Sequence, residues 1–397
     1  MAFRETCAME ERIRMLSDYD TGAFNVRELG ERYGVSRETF YLWRERRMSG
    51  DPMWFQDRSH APKSVPGRTE PALIERIVEM RRRFPHFGPK KIAVRLRREA
   101  PELDWPAIST IGDILSRAGL VEKVRRRRRP IAQGRPAAAV LAVNSEWCVD
   151  FKGWFRTRDG RRIDPLTVTD NESRYLLDVR IVKPNHEEVR PVFERLFNDF
   201  GLPEAVRSDN GAPFGSPGAG GLSRLSIWLL KLGVEPHFGR PSSPQDNGRH
   251  ERMHRTLKEQ TTQPASACAS EQQLRFDEFR QHFNEERPHE ALEQTPPAQI
   301  WRPSSRPMPA RIEQPWYDAH HEVRRVRGSG EIRWRGECVF IGEALAGEVV
   351  GLAERDQGHH IVRFCHHDLG MIDPKKIFRR FAPPRARRGE TAETKQE

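Results

Sequence analysis

A short apolar run that ends in Ser208-Asp209-Asn210-Gly211 limits the possible folds of this chain more than any other stretch. Pro203 precedes Ala205-Val206 and Asn210-Gly211 follows, so the run reads as a buried strand halted by a tight turn. Asp209 then lies at the carboxyl edge of a strand, where open α/β sheets place their ligands. Downstream, Asn247-Gly248 interrupts the chain, and Asn247 is the expected N-cap of a helix over about 249–259. Glu251 falls in its first turn, with Arg255 and Lys258 at i+4 and i+7 on the same face. Upstream, in EWCVDFKGWF, Trp147, Val149 and Phe151 alternate with Cys148, Asp150 and Lys152. That period of two makes a strand with Asp150 in its middle, pointing away from Trp147 and Val149. Hard cations such as Mg²⁺ prefer oxygen ligands, and three carboxylates on separate elements could hold two ions roughly 3.5–4 Å apart. Taken singly, each is an ordinary solvated charge. The strand edge lifts Asp209 above that reading, whereas Glu251 gains less, since first turns favour Glu anyway.

The segments WCVDFKGWF, SDNGAPF, SPQDNGRHERMHRTLK and FNEERPHEALEQTPPAQIW follow one another between Glu146 and Trp301. In that order they resemble the integrase-type catalytic core of bacterial insertion-sequence transposases, within the DDE family that includes retroviral integrases. The resemblance implies an RNase H-like α/β core and makes Asp150, Asp209 and Glu251 the catalytic, metal-binding triad. It implies two Mg²⁺ ions per site, with Mn²⁺ as a substitute. It also implies double-stranded DNA, both element ends and target, as the partner of a homo-oligomer in the bacterial cytoplasm, associated with the nucleoid. The Asp209–Glu251 interval holds 41 residues, longer than in most of the wider group. The excess corresponds to GSPGAGGLSRL, residues 215–225, which reads as a loop.

Charge is distributed unevenly along the 397 residues. The net charge is +11, and the cationic excess up to Ala138 is ten while the rest of the chain contributes one. A basic front end suits DNA binding. Residues 1–50 read as three helices. Asn25 and Glu28 form a capping-box pattern, Ser36 caps the third helix, and Leu29, Val35, Phe40 and Trp43 make the core. This is the helix-turn-helix plan, with Arg37, Tyr41 and Arg44 facing the major groove and Arg46 and Arg47 beside them. Residues 51–69 form a linker. Residues 70–122 read as a second helix-turn-helix unit, in which Pro89 opens one helix and Ser109 caps the next, and Lys90 and Lys91 are DNA-contact candidates. RFPHFGPKKIAVRLRRE and ISTIGDILSRAGL are similar to the corresponding unit of the same transposases. A basic linker, 123–143, contains VRRRRRP, read as tracking phosphates.

The core spans 144–302, a Pro-rich linker 303–322, a small all-β, barrel-like domain 323–382 and a disordered tail 383–397. The overall expectation is multidomain: all-α front, α/β core, all-β rear. The five cysteines contain no CxxC pair, which fits a reducing cytosol and argues against structural zinc. His320-His321, His359-His360 and His366-His367 read as surface pairs. The charged start is unlike a secretory signal, and neither a membrane segment nor a small-molecule substrate is expected. The leading function is end cleavage and joining by two-metal phosphoryl transfer. Its rivals are a helix-turn-helix regulator with a non-catalytic core, and a nuclease that hydrolyses without joining.

Overall fold

The computed structural model describes residues 7–58, 68–121, 142–239 and 248–381. The arginine run, the cap at Asn247 and the tail 383–397 lie outside these residues. Contacts divide the chain into two compact units, 1–70 and 71–397.

The first unit contains α1 (Ala8–Asp20), α2 (Val26–Tyr33) and α3 (Arg37–Met48). Asn25 accepts from the backbone N–H groups of Arg27 and Glu28 while Glu28 accepts from that of Asn25, completing the capping box. Gly34, at φ 65°, ends α2 in the left-handed region where a Cβ would be strained. Ser36 accepts from Thr39 N–H and opens α3. Met15, Leu16, Leu29, Phe40 and Trp43 form the buried centre, with Val35 packed at its side.

The second unit begins with α4 (Pro71–Arg83), α5 (Pro89–Glu99) and α6 (Ile108–Arg117), around a core that includes Ile77, Phe87, Ile92 and Ile111. Pro89 opens α5 as expected. The cap of α6 is Ala107 rather than Ser109. Burying Ile111, Ile114 and Leu115 fixes the helix phase, and Ser109 falls inside the first turn.

Next come β1 (Glu146–Phe151), β2 (Phe155–Arg156), β3 (Arg162–Ile163), β4 (Pro165–Asp170), β5 (Leu176–Ile181), α7 (His186–Phe200), β6 (Ala205–Ser208), α8 (Arg224–Lys231) and β7 (Glu235–Phe238). They form a mixed sheet of order β5-β4-β1-β6-β7. The β5-β4-β1 pairings are antiparallel, and the β1-β6 and β6-β7 pairings are parallel. The small β2-β3 hairpin was not anticipated from the sequence. One face of the sheet, with Trp147, Val149, Leu166 and Val206, packs on Phe193 and Phe197 of α7 and Trp228 of α8. The other is covered by α9 (Gly248–Thr261) and α10 (Ala269–Glu285) through Met253, Leu257, Phe276 and Phe279. The short α11 (Pro297–Ile300) precedes Trp301, which stacks on Tyr175 at 4.3 Å.

The Pro-rich stretch after Trp301 is strapped to the core. Ser304 N–H donates to Phe200 O (2.8 Å), and the Arg306 guanidinium donates to Pro203 O (2.8 Å) and Gly233 O (2.7 Å). Beyond it lie β8 (His321–Arg325), β9 (Glu331–Trp334), β10 (Glu337–Phe340), β11 (Val349–Glu354), β12 (His360–Phe364), β13 (His367–Ile372) and β14 (Phe378–Arg380). They make a five-stranded antiparallel sheet, β14-β13-β12-β11-β8, plus the hairpin β9-β10. This region is all-β as expected, but its sheet has β14 and β8 as two edges and is not closed into a barrel by these pairings.

The insert at 215–225, read as a loop, is a docking element. Ala219 and Leu222, with Ile227 and Leu230 of α8, are buried in the same apolar cluster as Trp334, Val350, Val362 and Leu369. Lys231 and Glu348 form a largely buried ion pair across this seam at 2.8 Å. Gly composition signalled flexibility, yet Ala219 and Leu222, beside the glycines, are buried. Leu222→Ala should therefore destabilise the chain by about 2–5 kcal/mol. Urea unfolding followed by tryptophan fluorescence measures this. A loss under about 0.5 kcal/mol, the size of an ordinary surface substitution, would refute the docking role.

Candidate active site

The parallel register of β1 and β6 builds the site. Trp147 lies beside Val206 and Cys148 beside Arg207. Continuing that register by two residues sets Asp209, just past the end of β6, beside Asp150. Across β4, Asp150 pairs with Thr167. Asp150 and Thr167 thus share the sheet face that α9 covers, and Glu251 is in the first turn of α9.

Two histidines seat that helix. The Thr167 hydroxyl donates to the carbonyl of Asp150 (3.0 Å), which leaves its two lone pairs for His250 Nε2 (2.6 Å) and His254 Nε2 (2.7 Å). Both rings must then carry their proton on Nε2, and His250 Nδ1 accepts from Thr169 Oγ1 (3.1 Å). Burial pushes His250 well below its ordinary pKa and His254 down to about 4, consistent with two neutral rings. The spacing of His250, Met253, His254 and Leu257 is that of one helix face, so the signal was present in the sequence, hidden by the polarity of histidine.

Burial first, then the charges of Asp209 and Glu251, push the Asp150 carboxyl up to about 7. The three carboxylates therefore repel one another across a space open to solvent, since Asp209 and Glu251 are exposed. Such an oxygen-only donor set fits a hard divalent cation, whose charge would relieve the repulsion. Lys152, two residues beyond Asp150 in sequence, adds a cation the sequence reading passed over. Its pKa is lowered by burial and by Lys258, which brings Lys258 to the same site. Arg255 and Lys258 are exposed, at i+4 and i+7 from Glu251.

Residues 141–244 match the family model "Integrase core domain", residues 232–297 match a second model of that description, and residues 321–377 match "IS481 family transposase, C-terminal domain". By these matches the chain carries an integrase core domain followed by a transposase C-terminal domain. An uncharacterized 39.2 kDa protein of insertion element IS476 from Xanthomonas euvesicatoria is 28% identical over 248 residues, covering 61% of this chain and 67% of the relative. An uncharacterized 31.7 kDa protein of element IS407 from Burkholderia multivorans is 25% identical, covering 59% and 82%. Among solved structures, the HTLV-2 integrase catalytic core domain in complex with magnesium is similar over 40% of this chain and 97% of that one, at 15% identity and a TM-score of 0.33.

The other residues singled out in the sequence are differently disposed. In α3, Arg37 and Tyr41 are exposed, whereas Arg44 lies over the Tyr19 ring at 5.2 Å and Arg46 over Trp43 at 4.5 Å. Arg47 is held by both oxygens of Asp20 at 2.7 Å. Lys90 pairs with Glu290 at 2.6 Å. Lys91 sits in a cleft of about 400 Å³ with Arg174, Arg252, Arg287 and His289, where burial and Arg287 lower its pKa to about 8. Lys90 thus joins the second helical group to the core, and Lys91 lines the cleft beside that contact. Among the described residues no helix is long and apolar enough to cross a membrane.

The Asp150 shift has a measurable consequence. In the folded chain the neutral carboxyl persists up to about pH 7, and in the unfolded chain only to about pH 4. The folded state therefore binds more protons between those values and loses stability as pH rises through them. Asp150→Asn, neutral throughout, should be more stable than the parent at pH 8 in EDTA by roughly 1–3 kcal/mol. The gap should close between about pH 7 and 4. Chemical unfolding at several pH values checks it; a parent as stable as the variant at pH 8 would sink the assignment of a strained carboxylate.

Proposed function

We propose that this transposase binds the terminal inverted repeats of its element, cleaves the ends and joins the freed 3′-hydroxyls to target DNA. The observation that carries the reading is the β1–β6 register, which sets Asp150 beside Asp209 under the helix bearing Glu251. Asp150 and Asp209 would be the principal ligands of two Mg²⁺ or Mn²⁺ ions, and Glu251 would complete the second position. Bound there, the ions supply charge stabilisation to the attacking and leaving oxygens of an in-line displacement. The chain's own part is to hold three carboxylates on two strand ends and one seated helix, and to present Lys152, Arg255 and Lys258 to backbone phosphates.

In this reading the chain divides its labour: two helix-turn-helix units before residue 122 read the element's end, the core 144–302 does the chemistry, and the β-domain 323–382 supports it. It acts on double-stranded DNA as a homo-oligomer in the bacterial cytoplasm. Asp209→Asn removes one charge and keeps the shape of the side chain. It should abolish both end cleavage and strand transfer with Mg²⁺ while end binding persists, as scored on labelled element-end duplexes with a supercoiled target. Normal joining by this variant would overturn the triad. Cleavage by the parent without joined products would instead favour a nuclease, and binding without cleavage a regulator.

The DNA-reading helix gives a second test. Arg37 is exposed, whereas Arg44 already contacts Tyr19. Arg37→Ala should weaken binding to the element's end by about 1–3 kcal/mol relative to a scrambled duplex, if it reads guanine in the major groove. Arg44→Ala should cost less. Equilibrium binding at two salt concentrations ranks them, and the reverse order would refute this assignment of the groove face.

A further inference from the structure

We propose that Glu235, His366 and His367 form a second metal site, distinct from the carboxylate triad, that takes a borderline transition cation of the Zn²⁺ type and clamps the C-terminal β-region to the edge of the catalytic sheet.

The three residues come from two regions far apart in sequence. Glu235 is the first residue of β7, the edge strand of the catalytic sheet. His366 and His367 lie at the turn joining β12 to β13. Neighbouring residues of an extended strand point to opposite faces and cannot reach one acceptor. Here Cys365 takes φ 51°, the strands close with Phe364 opposite His367, and the two rings come to lie side by side with centroids 4.5 Å apart. His367 Nε2 is 2.9 Å from Glu235 Oε2, and His366 Nε2 contacts Glu235 Oε1. One donor atom from each residue lies within 4.8 Å of the other two.

Two imidazoles and one carboxylate are the protein ligands of an open tetrahedral site, with the fourth position left for water. Imidazole nitrogen selects zinc, copper, nickel or iron over Mg²⁺, which prefers oxygen alone. Exposure of His366 gives the ion a path in: its side chain is 59% accessible, against 19% for His367. In the metal-free chain an Nε2–H group donates to the carboxylate. On binding, each ring carries its proton on Nδ1 instead, and the Nε2 lone pairs and the carboxylate turn to the ion. The location gives the site its consequence. It adds a link beside the Lys231–Glu348 pair and the apolar seam, and so ties β13 to the sheet that carries Asp209. Sequence reading had set the His366-His367 pair aside as surface, because the partner that makes it a candidate is more than a hundred residues away.

The test uses the full chain carrying Asp150→Asn and Asp209→Asn, so that two of the triad's three carboxylates are gone and failure here leaves the catalytic reading untouched. After EDTA and desalting, Co²⁺ is titrated while its visible absorption is recorded. The expected result is one equivalent of tightly bound Co²⁺ with the intense band of a four-coordinate site, not displaced by a large excess of Mg²⁺ but displaced by Zn²⁺. His366→Ala, His367→Ala and Glu235→Gln should each weaken binding by at least about tenfold, with circular dichroism unchanged. The absence of such a band in the folded parent overturns the proposal without recourse to any variant. So does a band that survives both histidine substitutions, or one that Mg²⁺ removes.

Discussion

Everything in the catalytic region depends on the pairing of β1 with β6. It is a parallel pairing in a sheet whose other half is antiparallel, and its register decides which residues share an end of the sheet. Because side chains alternate with a period of two, a slip of one residue would turn Asp150 into the apolar layer and bring Val149 out. Trp147 and Val149 oppose that slip: both are buried against α7 and α8, and a one-residue shift would turn them to the other face. The acidic site is thus held in place by the apolar face behind it.

That placement has an energetic cost that the fold absorbs. Burial of Asp150, and then the charges of Asp209 and Glu251 beside it, raise its pKa, and the surrounding contacts hold the arrangement in place. The α9 helix shows how: its inner face uses two neutral histidines sharing one threonine hydroxyl, whose proton and two lone pairs are all used. A helix seated by apolar side chains alone could slide by a fraction of a turn with little penalty. One seated by directional hydrogen bonds to Thr167 resists such sliding, which steadies Glu251 next to His250 in the first turn.

What the sequence made legible was whatever local chemistry decides alone. The cap at Asn25, the cap at Ser36, the Pro89 opening of α5 and the alternation around Asp150 all depend on neighbours within a few residues, and the structure bears them out. The misses have one origin. Ser109 is a good cap, but burial of Ile111 and Ile114 sets the helix phase instead. Contacts remote in sequence also escape a local reading: Lys90 pairs with Glu290, Arg44 lies over Tyr19 and Arg47 pairs with Asp20. The glycine-rich insert looked like slack until Leu222 met the β-region. Histidines 250 and 254 carried no apolar signal, although they lie on the buried stripe of their helix.

The insert also changes what the chain's last hundred residues are for. Two of the three acidic residues are separated by a 41-residue connection, and a connection of that length would ordinarily wander. Here its middle is nailed to a separate β-region that comes later in the chain. A product ending before residue 321 would keep all three carboxylates and every helix before residue 122. It would also expose Leu222, Ile227 and Leu230 to water and leave the connection unanchored. Such a fragment would keep its three carboxylates yet lose the anchor of the segment that spaces two of them, so the β-region bears on the geometry of an acidic site to which it contributes no residue.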